Sequence, residues 1–284
     1  MRRTVGVVAM ALLVASCGGD DGTAPVPTSS GPTPTPTQES VETGLTSPWP
    51  APLGDAHQEW TVRVVDRVPH DPTAFTQGLE FTDAGLLEST GRRGASSLRL
   101  LDPTTGEILV QVDNLDEHFG EGVAVRDGIA VQLTWQSGVA LRWDAELAPV
   151  GEFAYEGEGW GLCHDGADFW MSDGSATLTR RDSETFAPLA TVTVRRDGEP
   201  VGLLNELECI GDRVAANVWW SDEIVVIDPA TGVVGATIDA AALADEIASP
   251  DTTAVLNGIA DPGDGTLVLG GKLWPTLFVV EIVG

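Results

Sequence analysis

Gln77, Glu121, Trp160, Asn205 and Asn257 each stand one residue before the same point of a motif that recurs along the chain. The motif is a small polar loop, then Gly or Glu with apolar residues opening a strand. It reads Phe75-Thr-Gln-Gly-Leu-Glu80, Phe119-Gly-Glu-Gly-Val-Ala124, Gly159-Trp-Gly-Leu-Cys163, Leu204-Asn-Glu-Leu-Glu208 and Leu256-Asn-Gly-Ile-Ala260. Amides and indoles at such a position can bind and orient a substrate. The carboxyl of Glu121 can do more: with Phe119 two residues upstream and tryptophans facing it, its pKa should rise far enough for proton transfer. A sixth candidate is Lys272, the only lysine in a chain with fourteen arginines. An ammonium on a flexible stem can donate to a developing oxyanion or hold a carboxylate partner.

The elements that must position these groups follow from the repeat itself. Positions 78, 122, 161, 206 and 258 are 44, 39, 45 and 52 residues apart. That is the size of a four-stranded propeller blade, roughly 40–50 residues. A second mark recurs late in each unit: Asp102-Pro-Thr-Thr-Gly106 and Asp228-Pro-Ala-Thr-Gly232, with Trp143-Asp-Ala-Glu-Leu147 and Arg181-Asp-Ser-Glu-Thr185 at the equivalent place. Asp accepts bonds from the backbone that follows it, Pro fixes φ and Gly takes positive φ, so this segment is a hairpin turn between outer strands. Short β-branched runs flank the turns, and only Ala240 to Ile247 reads as a helical turn or two. The expected fold is all-β, a five-bladed β-propeller. The unattached strand Trp60 to Val65 should pair with the last unit, Leu277 to Val283, and close the ring. An open sandwich is the competing arrangement.

The domain is read as residues 57–284. Residues 1–16 form a targeting segment: Arg2 and Arg3, then an apolar run from Val5 to Val14 too short to span a bilayer of roughly 30 Å. It ends in Val14-Ala15-Ser16-Cys17, which resembles a bacterial lipobox, so Cys17 is the expected lipid anchor to a membrane. Residues 17–56 are a Pro/Thr/Ser-rich linker, expected to be disordered. The expected location is extracytoplasmic, on the bacterial cell membrane, with a monomer as the default state. The net charge of −28 argues against nucleic acid as a partner and favours cationic ligands, including peptides with a free α-ammonium. Cys163 and Cys209 could form one disulfide or remain two buried thiols. The four histidines (57, 70, 118, 164) lack zinc-type spacing and read as surface or loop residues. Of nine tryptophans, 135, 160 and 219 fall near repeat positions. Trp49 and Trp60 would seal the stalk or closing strand, Trp143, Trp170 and Trp220 would pack, and Trp274 could do either.

Ten segments in order carry a family resemblance: Phe75-Thr-Gln-Gly-Leu, Glu88-Ser-Thr-Gly, Phe119-Gly-Glu-Gly, Gln132-Leu-Thr-Trp135, Gly159-Trp-Gly-Leu, Ser172-Asp-Gly-Ser175, Leu204-Asn-Glu-Leu-Glu, Ala216-Asn-Val-Trp219, Leu256-Asn-Gly-Ile-Ala and Gly271-Lys-Leu-Trp-Pro275. Together they resemble the signature of plant-type (bacterial) glutaminyl-peptide cyclotransferases, which close N-terminal glutamine of peptides into pyroglutamate and release ammonia. The resemblance implies that Glu121 is the general acid/base. It implies that Gln77, Asn205 and Lys272 line the pocket with polar groups, and that Phe75, Phe119, Trp135, Trp160 and Trp219 form its aromatic walls. Catalysis would fall to Glu121, Lys272 and Asn205, with peptides bearing N-terminal Gln as partners. No metal or organic cofactor is required; a structural calcium is compatible with the fold but unmarked by any loop motif. Two other readings differ in class. A metal-dependent propeller lactonase or hydrolase would use Glu121, Asn205, Asn257 and Asp173 as ligands for a hard cation. A non-catalytic propeller would bind a partner at its mouth.

Overall fold

A computed structural model of the chain describes residues 46–54 and 56–284; the targeting segment, Cys17 and the linker as far as residue 45 lie outside the described residues. The chain is all-β, with a single short helix among the described residues. Strand β1 (Gln58–Pro69) comes first. A four-stranded antiparallel sheet follows: β2 (Thr76–Thr82), β3 (Gly85–Thr90), β4 (Ser97–Leu101) and β5 (Ile108–Asp113), in that spatial order. The second repeats it with β6 (Gly120–Arg126), β7 (Ile129–Thr134), β8 (Val139–Trp143) and β9 (Pro149–Ala154). The third comprises β10 (Leu162–His164), β11 (Phe169–Ser172), β12 (Thr177–Arg181) and β13 (Pro188–Thr193). A two-stranded ribbon, β14 (Arg195–Arg196) with β15 (Glu199–Pro200), leads to β16 (Leu204–Ile210), β17 (Arg213–Val218), β18 (Glu223–Ile227) and β19 (Val234–Asp239). Helix α1 (Ala241–Ile247) is the turn the sequence suggested. The chain ends with β20 (Leu256–Ala260), β21 (Leu267–Gly271) and β22 (Thr276–Val283).

β1 joins the last two groups. It lies antiparallel on β22 from Thr61–Val283 to Pro69–Thr276, and its first residues, Gln58 to Thr61, run parallel to Ala236 to Asp239 of β19. Eight strands therefore share one continuous sheet. Burial falls from the inside outward. β2, β6 and β16 are buried over their first five or four residues, whereas β5, β9 and β13 are exposed almost throughout. Inner strands covered on both faces carry near-continuous apolar runs rather than alternation.

Five apolar clusters form the core, each between consecutive groups of strands. Leu87 and Leu98 meet Val123, Ala130 and Trp143; Ala124 and Leu133 meet Leu162, Phe169 and Met171; Cys163, Trp170 and Leu178 meet Leu207, Val214 and Val225. Ile224 and Val226 meet Ile259, Leu269 and Phe278; Val68, Val268 and Leu277 meet Leu79, Leu86 and Leu101. Each fully buried Leu, Ile or Phe contributes roughly 1.5–3 kcal/mol. Neighbouring inner strands also pack directly: β2 on β6, β6 on β10, β10 on β16, β16 on β20, and β20 back on β2. Cys163 of β10 and Cys209 of β16 are disulfide-bonded, with their Cα atoms 5.4 Å apart, which resolves the two alternatives left by the sequence.

The repeated turns have the expected chemistry. Asp102 Oδ1 accepts from the amides of Thr104 and Thr105 at 2.8 and 2.9 Å, and Gly106 adopts φ 71°. In the second and third groups the same left-handed position holds Leu147 (φ 59°) and Phe186 (φ 61°). Both are buried, so packing offsets the backbone cost there. Residues 46–54, placed in the linker by composition, lie on the domain instead. Thr46 bridges to Asp264, and Trp49 stacks on Trp60 with ring centroids 5.8 Å apart. The apolar side chains of Trp49 and Leu53 pack against the core cluster around Trp60, and this burial ends the linker earlier than its polar composition suggested.

Candidate active site

The residues singled out by the repeat sit on irregularities of the innermost strands. Pairing of β2 with β3 shifts register between Thr76 and Gly78, and that of β6 with β7 between Gly120 and Val123. The β16–β17 pair shifts between Leu204 and Leu207, and the β20–β21 pair between Leu256 and Ile259. Four β-bulges thus fall at one place in four repeats. A bulge re-aims a side chain out of the pleat, and the residues re-aimed here are Gln77, Glu121, Asn205 and Asn257. In the third group Trp160 lies just ahead of β10, tied by its amide to the Ser172 carbonyl at 3.1 Å.

The glycines behind these residues let the inner strands approach one another. A Cβ on Gly122 would come within 2.6 Å of the Leu162 nitrogen, and one on Gly161 within 2.0 Å of the Asn205 carbonyl oxygen. At the fourth repeat the position belongs to Glu206, whose fully buried carboxylate reaches two strands. Oε1 accepts from the Leu79 amide at 3.2 Å and Oε2 from the Ile259 amide at 2.9 Å. Desolvation raises its pKa well above the usual carboxylate range, opposed by those two amides.

A cavity of about 210 Å³ opens above this floor, lined by Phe75, Gln77, Phe119, Glu121, Trp135, Trp160, Asn205, Trp219 and Lys272. These are the nine residues that the family resemblance assigns to the pocket; Asn257, the remaining repeat position, is not among them. A larger hollow of about 420 Å³, between the first and second sheets, contains none of them. The site cavity is layered. Gln77, Glu121, Asn205 and Lys272 are 3–4% exposed, whereas the aromatic residues are half-buried and form the walls. Phe119 meets Phe75 and Trp135 edge-on at 6.1 and 5.7 Å, and Trp160 meets Trp219 at 5.3 Å with their planes 81° apart. Gly174, at φ 79°, leaves room for the Trp160 ring, which a Cβ there would meet at 2.6 Å.

The polar floor is connected. Gln77 Nε2 donates to Glu121 Oε1 at 3.1 Å, and Lys272 Nζ donates to Gln77 Oε1. Asn257 Nδ2 donates to the Thr76 carbonyl at 3.0 Å and reaches Gln77 Oε1 at 3.3 Å. Lys272 Nζ also lies 4.9 Å from the Phe75 ring centroid, a cation–π contact. Burial pushes the Glu121 carboxyl well above its ordinary value; the Lys272 ammonium opposes this and the Glu158 charge adds to it. Burial likewise draws Lys272 down to about 8, against the pull of Glu121 and Glu206. Asn205 Oδ1 is buried with no hydrogen-bond partner among the described residues, which leaves an acceptor free at the cavity. The arrangement can bind a small group with N–H bonds in an aromatic cup and move a proton through one carboxyl.

Several groups differ from the sequence reading or were absent from it. Asn257 braces Gln77 rather than lining the cavity. Glu158 accepts from the indoles of Trp135 and Trp160, and its only sequence signal was its place two residues before Trp160. His70, read as a surface or loop residue, is buried. Its ring bonds the Trp274 carbonyl at 2.7 Å and Glu88 at 3.0 Å, and Glu88 also accepts from Thr76. A carboxylate 18 residues away supplies the partner that a local reading could not see. Trp143 and Trp170 pack as expected and Trp274 is fully buried, but Trp220 is 54% exposed beside Trp219. The cation-binding set is not assembled: Asp173 is exposed and caps the Ser175 amide, and Glu121 faces a lysine. Among the described residues, no three His, Cys, Asp or Glu side chains come together as a metal-ion site.

Comparison with known proteins agrees with this geometry. The family model described as glutamine cyclotransferase matches residues 37–282. A glutaminyl-peptide cyclotransferase of Arabidopsis thaliana is 39% identical over 235 residues, covering 80% of this chain and 73% of that protein. The crystal structure of Myxococcus xanthus glutaminyl cyclase superposes with a TM-score of 0.76 at 38% identity, covering 80% of this chain and 98% of that one. The chain belongs to the glutamine cyclotransferase family.

Proposed function

We propose that the protein acts as a glutaminyl-peptide cyclotransferase, converting the N-terminal glutamine of peptides to pyroglutamate with release of ammonia. The observation that carries this reading is the convergence of Glu121, Gln77, Asn205 and Lys272 beneath five aromatic rings in a cavity of about 210 Å³, in a chain of this family. The α-nitrogen forms a bond to the γ-carboxamide carbon while the bond from that carbon to its nitrogen breaks. The aromatic cup folds the side chain into the conformer in which these atoms meet, which replaces a search over rotamers. Glu121, as carboxylate, takes a proton from the α-amine and returns it to the departing nitrogen, which leaves as ammonia. The Lys272 ammonium stabilises the oxygen of the tetrahedral intermediate, and the free acceptor of Asn205 takes an N–H of the substrate. Each of these steps uses only side chains of the chain itself.

The fold is read in the same frame as a five-bladed propeller. Five clusters between successive groups and the return of β20 onto β2 support a closed ring, with β1 as the outer strand of the fifth blade. The lipid-anchored, extracytoplasmic, monomeric state belongs to this proposal too. It is supported by the lipobox-like Val14-Ala15-Ser16-Cys17 and by a disulfide, which persists in oxidising compartments.

The test is ammonia release from Gln-Gln dipeptide by wild type and Glu121→Gln. The variant should still bind a glutaminyl peptide but lose roughly 10²–10⁴-fold in turnover. An unchanged rate removes Glu121 from the mechanism; a wild-type protein that forms no pyroglutamate removes the function.

A further inference from the structure

Glu158 lies outside the cavity lining yet controls two of its walls. Its Oε2 accepts from the Trp135 indole Nε1 at 2.7 Å and from the Trp160 indole Nε1 at 3.0 Å. Its Oε1 accepts from Gln136 Nε2 at 2.8 Å. Trp135 follows β7 in the second sheet, and Trp160 precedes β10 in the third. One carboxylate oxygen therefore joins aromatic walls contributed by two different sheets. The loop that presents it is tightly specified: Gly157 turns at φ 86°, and a Cβ on Gly159 would come within 2.4 Å of the Tyr155 oxygen.

We infer that Glu158 is a positioning residue that fixes the spacing of the Trp135 and Trp160 indoles and so sets the slot that admits the glutamine side chain. This rests on the reading of the cavity as the glutaminyl site. A carboxylate has about four acceptor directions and no donor, so it can satisfy two indole N–H groups and an amide at once. Charge-assisted bonds of this kind are the shorter and stronger class. The Gln136 amide, with the two indoles, holds Glu158 below its ordinary carboxylate value, so the acceptor persists into mildly acidic solution. A carboxamide keeps one accepting oxygen for the two indoles but loses the charge that strengthens both bonds, and it turns a donor towards Gln136.

The experiment compares wild type, Glu158→Gln and Glu158→Asp in steady-state ammonia release and in the indole N–H region of the proton NMR spectrum. The indole protons are assigned by Trp135→Phe and Trp160→Phe. In wild type the two indole protons should lie downfield of those of the other tryptophans. In both Glu158 variants they should move upfield, with KM for a glutaminyl peptide raised about tenfold and kcat within about twofold. An ordinary indole position in wild type overturns the inference without needing any variant. An aspartate variant with wild-type KM overturns it as well, since charge without reach would then suffice. Failure of the function reading looks different: wild type itself would release no ammonia.

Discussion

Gln77 donates to Glu121 Oε1 at 3.1 Å while the other end of the same amide accepts from Lys272. The acid and the ammonium are therefore held together through a neutral residue. Gln77→Leu keeps the bulk and removes both bonds, leaving two buried charged groups less satisfied. The expected outcome is a fall in kcat/KM of about 10²-fold with an unchanged far-ultraviolet spectrum. A variant with wild-type kinetics would show that the link is incidental.

Burial draws Lys272 down to about 8, so its ammonium is lost as pH rises through that value. The same force raises Glu121, so its carboxylate is lost as pH falls through a value well above the usual carboxylate range. The two predict a bell-shaped dependence of kcat/KM on pH, whose limbs belong to the coupled pair. The alkaline limb should be absent in the residual activity of Lys272→Met. A wild-type rate that climbs steadily through the Lys272 value and beyond would contradict the assignment.

The same shift has a signature in stability. Between about 8 and the ordinary lysine value of 10.5, the unfolded chain holds a proton that folded Lys272 has shed. The contribution of this group to stability therefore rises with pH across that window and is least below it. Denaturant unfolding over the window should show a steeper rise for wild type than for Lys272→Met. Equal slopes would mean that Lys272 keeps its solution value in the fold.

The Cys163–Cys209 bond closes a stretch of 46 residues between β10 and β16. Chain-entropy reasoning gives a loss of about 4 kcal/mol when it is removed. The Cys163→Ala/Cys209→Ala double variant should unfold at lower urea, and a reductant should destabilise wild type but not the variant. Equal midpoints for the two proteins would argue against a structural role for the bond.

The repeat made much of this architecture legible before any coordinates. Five aligned segments located the inner strands, and Gln77, Glu121 and Asn205 proved to be neighbours around one cavity, with Asn257 bracing Gln77. The short helix and the pairing of β1 on β22 were visible for a similar reason: a change of period in one case, an unattached strand in the other. The bulges were not legible. Register shifts depend on how two strands meet, and neither strand alone records them. Glu158 and His70 were missed because a decisive partner of each comes from another stretch of chain, Trp135 for one and Glu88 for the other, and the nearby Trp160 alone does not mark Glu158 as an indole acceptor. The linker boundary was misjudged because Trp49 finds its aromatic neighbour only in the folded state.

Glu206 takes one amide from Leu79 near the start of the domain and another from Ile259 near its end. This one side chain therefore ties the inner strands of the first and last groups to each other through the fourth. Loss of either strand from its place would leave a buried carboxyl without one of its two donors, so the floor of the cavity holds or fails as one piece.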